Sequence, residues 1–204
     1  MINNLFPQAV GIYKLGRDLT EKEISFIKGQ EKRPNKGNTT SKDNTILRNR
    51  PLIKLRDFIE TSVADYFKTV YSPQHSVSLR ITQSWVNYTE PGQFHHRHAH
   101  PNSFVSGVFY PQANQETDRI YFYRDGFQMI DLPPAEWNTW NSKSWWFETG
   151  TGDLILFPSH LQHNVEPVQG DQTRISLSFN TFPVGMIGDE VDLTSLHVDN
   201  VQGW

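Results

Sequence analysis

The stretch Gln93–Pro101 carries four of the eight histidines in this 204-residue chain, and histidine is a common metal ligand. In an extended strand, side chains two residues apart point to the same face. This spacing places His96, His98 and His100 on one face and turns His95 away from it. Two imidazoles spaced in this way can occupy two adjacent positions around one metal ion.

A third ligand must come from another part of the chain, and His163, in the segment Leu156–Val165, is the candidate. We therefore predict a metal site formed by His98, His100 and His163. Two alternatives stay open at this point. His96 and His98 could form the pair with His100 outside it, or the run could be a solvated loop, because short His-rich tracts are only compositional evidence of metal binding.

The amino-acid composition excludes several classes of partner and of catalytic or metal site. The formal net charge is −3, from 19 basic and 22 acidic residues, which gives no electrostatic footprint for nucleic acid or an anionic membrane. The chain has no cysteine, which excludes disulfide scaffolds, thiolate metal sites and cysteine nucleophiles. We find no secretory signal and no apolar run near the ~20 residues of a membrane span, so we expect a cytoplasmic protein.

The first third of the chain is expected to support the site. Gln8–Leu15 alternates like a short edge strand, and Thr20 with Glu23 forms a capping box that predicts a helix ending near Gly29. Residues 30–46 are polar and rich in turn formers, which predicts a loop without structure of its own, either a lid or a mobile connection. A second helix follows Pro51, with an apolar stripe made of Leu52, Leu55, Ile59, Val63, Tyr66, Phe67 and Val70.

From residue 76 onward the pattern is that of short strands separated by turns. Eight strands with only N-terminal helices predict a mainly β double-sheet jelly roll with the helices packed outside. We expect one domain over 1–204, with the strand and helices in 1–75, the core in 76–182 and a weakly patterned arm in 183–204. In a jelly roll, strands two and seven lie side by side, so their histidines can meet at one ion. The predicted strands are 78–88, the histidine run, 104–110, 119–123, the end of 136–148, 153–157, 163–167 and 174–182.

Three segments in this order, His98–Tyr110, Leu154–Pro167 and Arg174–Asn180, resemble the Fe(II)/2-oxoglutarate-dependent oxygenases of bacteria and phages. The resemblance runs from about Trp85 to Phe182. It implies a double-stranded β-helix with one non-haem iron. It also implies a cytoplasmic enzyme, in the host cytoplasm if the chain is encoded by a phage.

The chain departs from the wider superfamily at one ligand. That superfamily holds iron with two histidines and one carboxylate, and here His100 stands where the carboxylate is expected. Replacing a carboxylate by a neutral imidazole leaves the site one unit more positive, which favours an anionic chelating co-substrate. A three-histidine site like that of some cupin dioxygenases, which need no 2-oxoglutarate, remains the alternative.

The resemblance implies that Arg174, 11 residues after His163, binds 2-oxoglutarate. A guanidinium presents a planar fork to a carboxylate, and Ser176, two residues on, adds a hydroxyl on the same face. The alternative for Arg174 is a solvated strand residue. Tyr110 and Asn87, with Ser106, are further candidates to bind the co-substrate.

The sequence thus predicts an enzyme that uses Fe(II) and 2-oxoglutarate to hydroxylate a small molecule or peptide, with release of succinate and CO2. The iron would carry the hard chemistry while the protein orients the reactants. We expect no nucleic-acid or membrane partner, and a homo-oligomer stays open. The competing hypotheses are a cupin-type metalloenzyme without 2-oxoglutarate and a jelly-roll binding module with a vestigial metal site.

Overall fold

The computed structural model describes residues 1–74, 76–126 and 130–199, which form two α-helices and twelve strands. Helix α1 spans Glu21–Lys28. The Thr20 side chain accepts the backbone N–H of Glu23, and the Glu23 carboxylate accepts the backbone N–H of Thr20. The predicted capping box is therefore confirmed.

Helix α2 spans Ile53–Tyr71 and follows two 3-10 turns, Ile46–Arg48 and Arg50–Leu52. It ends at Ser72, which adopts a left-handed conformation with φ of 43°. Most of the predicted stripe is buried, whereas Val70 in the last turn is 40% exposed. The buried stripe residues are Leu52, Leu55, Ile59, Val63, Tyr66 and Phe67.

The strands form two sheets. The larger has the order β1-β9-β6-β11-β4-β3-β2, with β12 on β11, and the smaller has the order β5-β10-β7-β8. This arrangement confirms the predicted jelly roll with helices outside, and β5 pairs with β10 as expected. The strands are β1 Gly11–Lys14, β2 Lys32–Pro34, β3 Thr39–Ser41, β4 Val77–Thr89, β5 His95–His98, β6 Val105–Gln112, β7 Arg119–Tyr123, β8 Ser144–Glu148, β9 Asp153–Pro158, β10 His163–Val165, β11 Arg174–Ile187 and β12 Leu196–Val198.

The prediction that residues 30–46 lack structure is wrong. Strands β2 and β3 form an antiparallel hairpin that extends the larger sheet beyond β4. The Thr40 hydroxyl donates to the Val86 carbonyl at 3.0 Å, and the Val86 N–H donates to the Ser41 hydroxyl at 3.0 Å. These polar residues satisfy sheet hydrogen bonds, a role that turn-like composition does not reveal.

The arm predicted for 183–204 is also more regular than expected. Strand β11 continues to Ile187, and β12 folds back to pair with it through Gly185 and Val198. The end of the predicted arm, residues 200–204, lies outside the described residues.

Two apolar clusters flank the larger sheet. One joins α2 to its outer face, around Ile59, Leu156 and Phe179. The other lies between the sheets on the β6 and β9 side, around Ile120 and Phe157. The β4 and β11 side of the same interior carries polar side chains, so the space between the sheets is divided into an apolar half and a polar half. No helix in the described part of the chain has the length and apolarity needed to cross a membrane.

Candidate metal centre

Strand β5 is irregular at the histidine run. His98 pairs with His163 and His95 pairs with Val165, so two residues of β5, His96 and Arg97, lie opposite one residue of β10, Asn164. A bulge of this kind bends a strand and breaks its alternation. As a result His95 and His98 both line the cavity between the sheets, whereas His96 does not. The expectation that His95 points away is therefore wrong, whereas the His96 ring still lies beside that of His98, with centroids 4.9 Å apart.

His100 lies beyond the end of β5, where its backbone N–H donates to the Ser159 carbonyl at 2.9 Å. From there its ring reaches back into the cavity, and its Nε2 lies 3.3 Å from Nε2 of His163. The His98 and His163 ring centroids are 4.4 Å apart, and those of His98 and His100 are 4.9 Å apart. One ligand nitrogen from each of the three lies within 4.8 Å of the others.

Backbone carbonyls set the tautomers of two of these rings. Nδ1 of His98 lies 2.7 Å from the His96 carbonyl, and Nδ1 of His163 lies 3.0 Å from the Leu161 carbonyl. A carbonyl oxygen only accepts, so each Nδ1 carries the proton and each Nε2 keeps its lone pair. This is the usual arrangement around a metal-bound imidazole, whose second nitrogen donates to a fixed acceptor.

Burial keeps the rings neutral. It lowers the pKa of His100 and of His163 to about 3, and the neighbouring histidines lower both further. Burial likewise lowers the pKa of His98. Ligating imidazoles must be deprotonated, so these histidines already have the form that binds a metal ion.

A second group, His95 with His96 and His98, also has ligand nitrogens within 4.8 Å of one another. It shares His98 with the first group. Because Nδ1 of His98 is committed to a carbonyl, only Nε2 is free, and one lone pair serves one ion. The two groups are therefore alternatives. The first contains the more buried third member, His163 at 4% exposure.

The opposite end of the cavity holds Arg174, which is 3% exposed, and Ser176, which is 8% exposed. The cavity wall also includes a tyrosine, a tryptophan and several apolar side chains. Its lining residues are Trp85, His95, His98, His100, Val108, Tyr110, Ile120, His163, Asn164, Val165, Arg174, Ser176 and Ser178.

Arg174 already has a charged partner. Its Nη1 lies 3.5 Å from Oδ1 of Asp118, which is 4% exposed. The other oxygen of Asp118 accepts the backbone N–H of Asn114 at 2.8 Å, which holds the carboxylate in place. Burial lowers the pKa of Arg174, and Tyr110 and Asp118 oppose that shift. Arg174 is therefore a fixed, buried cation rather than a solvated strand residue.

The other proposed co-substrate residues differ in position. Tyr110 lines the cavity, and burial raises the pKa of its hydroxyl, which keeps it a hydrogen-bond donor. Asn87 is buried behind the wall, where its amide donates to the Ser178 hydroxyl at 3.1 Å. Ser106 donates to Oδ1 of Asn180 at 3.0 Å and also contacts Ser159. The hydroxyl of Ser106 is thus occupied within the protein.

The sequence patterns missed two functional candidates. His95 lines the cavity because of the bulge, and no local signal announced that irregularity. Asp118 comes just before β7 and meets Arg174 only through the sheet packing. A buried basic residue is usually paired with a carboxylate. The sequence does not show which carboxylate along the chain forms that pair.

The donor set fits a first-row transition metal. Imidazole nitrogen suits iron, nickel, copper and zinc. Two nitrogens bound side by side to one ion at about 2.1 Å lie roughly 3 Å apart, close to the 3.3 Å between His100 and His163. Iron is therefore compatible with these residues, without the carboxylate that the wider superfamily supplies.

Comparison with protein families gives a match over residues 83–180 to the family described as "Putative 2OG-Fe(II) oxygenase". The match covers 98 residues, just under half of the chain. The matched region contains all three histidines and Arg174, and Fe(II) and 2-oxoglutarate are the metal and co-substrate of that family. A comparison with curated proteins gives no match.

Solved oxygenases share the fold. HygX from Streptomyces hygroscopicus, with nickel and 2-oxoglutarate bound, superposes with a TM-score of 0.59 at 9% identity, over 85% of this chain and 82% of HygX. A 2OG-Fe(II) oxygenase family oxidoreductase from Burkholderia pseudomallei gives 0.56 at 12% identity, over 78% and 74%. A prolyl hydroxylase from Trichoplax adhaerens, in complex with a hypoxia inducible factor peptide fragment, gives 0.57 at 13% identity, over 85% and 83%.

Proposed function

We propose that this chain is a dioxygenase that uses Fe(II) and 2-oxoglutarate to hydroxylate a small molecule or peptide, with release of succinate and CO2. The observation that carries the proposal is one cavity with three neutral imidazoles at one end and a buried guanidinium at the other. A dicarboxylate with a 2-keto acid at one end is the co-substrate that such a cavity would bind.

His98, His100 and His163 would hold the iron. Bound iron would supply the activation of O2, by which one oxygen atom would enter succinate and the other the hydroxylated product. The imidazoles contribute position, because His98 and His163 are each held by a carbonyl at Nδ1. The cavity walls contribute shielding from water, which strengthens every charge interaction inside.

Arg174 would bind the far carboxylate of 2-oxoglutarate. Its Nη1 faces Asp118, which leaves the remaining N–H groups of the guanidinium for a second acceptor. Ser176 and Tyr110 line the same cavity and would donate hydroxyl hydrogen bonds to that carboxylate. We propose no direct role for Asn87, which would instead hold the Ser178 hydroxyl in place.

Charge supports this assignment. Three neutral imidazoles leave the full 2+ charge of an Fe(II) ion, and the Arg174–Asp118 pair adds none. A 2-oxoglutarate dianion would bring the filled cavity to neutrality. With a carboxylate among the ligands the same complex would carry one negative charge in a buried place, which is costly.

One observation favours the second candidate, a cupin-type metalloenzyme that uses no 2-oxoglutarate. The ligand set is all imidazole among the described residues of the first group, as in the three-histidine cupins that the sequence resemblance left open. The buried Arg174 argues against it, because such an enzyme needs no cation at the far end of the cavity.

The test is succinate formation from 2-oxoglutarate by protein supplied with Fe(II) and ascorbate under air. We expect slow succinate release even without a second substrate. His163→Ala should abolish it, and His160→Ala, which changes an exposed histidine three residues away, should not. Metal binding without succinate formation, in the presence of candidate small molecules and peptides, would favour the cupin-type alternative.

A further inference from the structure

His95 is a partly buried polar residue that the proposed reaction does not yet use. It lines the cavity together with the three candidate ligands and Arg174. Its partner across the sheet is Val165, two residues further along β10 than His163. His95 therefore lies on the Arg174 side of the metal ligands, beside the path that a bound 2-oxoglutarate would follow.

The ring of His95 has a defined orientation. It stacks on the ring of His98, with centroids 4.7 Å apart and an angle of 16° between the planes. Its two nitrogens form no hydrogen bond with any described residue, unlike those of His98 and His163. A ring nitrogen that faces a cavity without a protein partner is free to hydrogen-bond a ligand or water there.

The charge around His95 favours an anionic partner. Among the described residues, Arg174 acts on His95 as a cation, and the other charges that act on it come from histidines 98, 96 and 163. No carboxylate of the described residues contributes to those surroundings. An imidazole N–H in this place would meet a carboxylate of the co-substrate with no internal competitor.

From this geometry we infer that His95 donates a hydrogen bond to bound 2-oxoglutarate, between the metal and Arg174. This inference rests on the proposed function, because it requires the co-substrate to occupy the cavity. His95 is then a specificity residue for the co-substrate and not a metal ligand. The alternative is that His95 joins His96 and His98 around an ion.

The experiment measures two affinities in each variant, anaerobically and without turnover. Metal affinity is measured with Co(II) against a competing chelator, and 2-oxoglutarate affinity by the charge-transfer absorption of the Fe(II) protein. His95→Phe keeps a flat ring to stack on His98 but removes the N–H. His95→Gln keeps a donor. His96→Phe is the matched control, since His96 neighbours His95 but does not line the cavity.

We expect His95→Phe to bind 2-oxoglutarate about 10- to 100-fold more weakly, the usual loss for a hydrogen bond to a charged group. His95→Gln should recover most of that affinity, and His96→Phe should match wild type. Metal affinity should be the same in all four proteins.

Two results would overturn the inference while leaving the proposed function intact. One is wild-type 2-oxoglutarate affinity in His95→Phe. The other is a matching fall in metal affinity in His95→Phe and His96→Phe, which would assign both residues to an ion. If the Phe variant does not fold, a His95→Gln protein with more than about tenfold weaker 2-oxoglutarate binding would also contradict the role of a donor. Failure of the wild-type protein to bind 2-oxoglutarate at all would overturn the proposed function and this inference together.

Discussion

His100 distinguishes this site from one built on two histidines and a carboxylate. Its Nε2 is four bonds from Cα, as is a glutamate oxygen, whereas an aspartate oxygen is only three bonds away. Because His100 reaches its position from beyond the end of β5, the length of the side chain matters as much as its chemistry.

We therefore expect His100→Glu to retain the metal and His100→Asp to bind it at least about tenfold more weakly, since even the loss of a residue that only supports a ligand has an effect of this size. The Glu variant should also bind 2-oxoglutarate less tightly than wild type, because the site loses one positive charge. Chelator competition and the charge-transfer absorption of the Fe(II) complex measure the two effects. Unchanged metal affinity in both variants would show that His100 is outside the ligand set.

Arg174 is the residue on which co-substrate binding should depend most. Arg174→Ala should weaken 2-oxoglutarate binding by roughly 30-fold or more, because removing one partner of a buried charge pair costs about 2–5 kcal/mol of binding. Arg174→Lys should recover part of the 2-oxoglutarate affinity, since an ammonium group keeps the positive charge but lacks the planar fork of the guanidinium. Metal affinity should hardly change.

The Ala variant also leaves Asp118 buried without its cation, which is destabilising in itself. The double variant Arg174→Ala/Asp118→Asn has no unpaired buried carboxylate. Its affinity for 2-oxoglutarate should still be low. Arg119→Ala, next in sequence to Asp118 but salt-bridged to Glu148, is the matched control. A double variant that folds and binds 2-oxoglutarate as wild type does would contradict the role of Arg174.

At the scale of elements, the β2–β3 hairpin replaces the lid that the composition of residues 30–46 suggested. Side-chain hydrogen bonds tie it to Val86, and the Lys42 N–H donates to the Glu31 carbonyl at 2.8 Å. We expect its amide hydrogens to exchange slowly with solvent deuterium, with or without ligands, since paired strands open rarely. The exposed turn at 189–194 gives a fast-exchanging reference in the same protein. Fast exchange across 32–41 that slows when ligands bind would restore the lid hypothesis.

Helix α1 depends on the charge of Glu23. Burial alone would raise the pKa of this carboxyl, but two hydrogen bonds from Arg17, at 2.7 and 2.9 Å, and those from Thr20 lower it below its ordinary value. A lowered pKa means that the folded state binds the proton less well than the unfolded state. The stabilisation is therefore present above the unfolded pKa and lost as pH falls through the folded one.

We expect Glu23→Gln to lower the free energy of unfolding by about 1–2 kcal/mol at pH 7, in the range of capping and charged hydrogen bonds. The difference from wild type should shrink on acidification below pH ~4. Glu21→Gln, an exposed residue in the same turn, should have little effect. Urea unfolding at several pH values measures both variants, and a pH-independent difference would contradict the role of the charge.

For the whole molecule, the candidate ligands come from both sheets. His98 and His163 lie on the smaller sheet and Arg174 on the larger, so metal and co-substrate would join the two. At a hundred times its dissociation constant, a ligand adds about 2.7 kcal/mol of stability. For a chain of this size that corresponds to a rise of about 5–10 °C in Tm.

We expect this rise when 2-oxoglutarate is added anaerobically to the Ni(II)-loaded protein, measured by calorimetry. The rise in Tm should be absent in Arg174→Ala and present in His160→Ala. A wild-type Tm that does not respond to 2-oxoglutarate would contradict a co-substrate bridge between the sheets.

The sequence by itself determined the local features of this protein. The capping box of α1, the apolar stripe of α2 and the period-two strands after residue 76 all follow from contacts between near neighbours. The order of the histidine and arginine segments also indicated which strands would meet, because jelly-roll connectivity pairs the second strand with the seventh. The fold and the chemical class were therefore accessible from the chain alone.

Only the tertiary structure decided which side chains face the cavity. The alternation rule assumes an uninterrupted pleat, and the bulge in β5 brings His95 onto the cavity wall beside His98. The pairing of Asp118 with Arg174 joins residues 56 positions apart, and the β2–β3 hairpin is held by Val86 on β4. Such contacts form between residues that are far apart in the sequence and meet only when the sheets pack. A local sequence pattern therefore does not predict them.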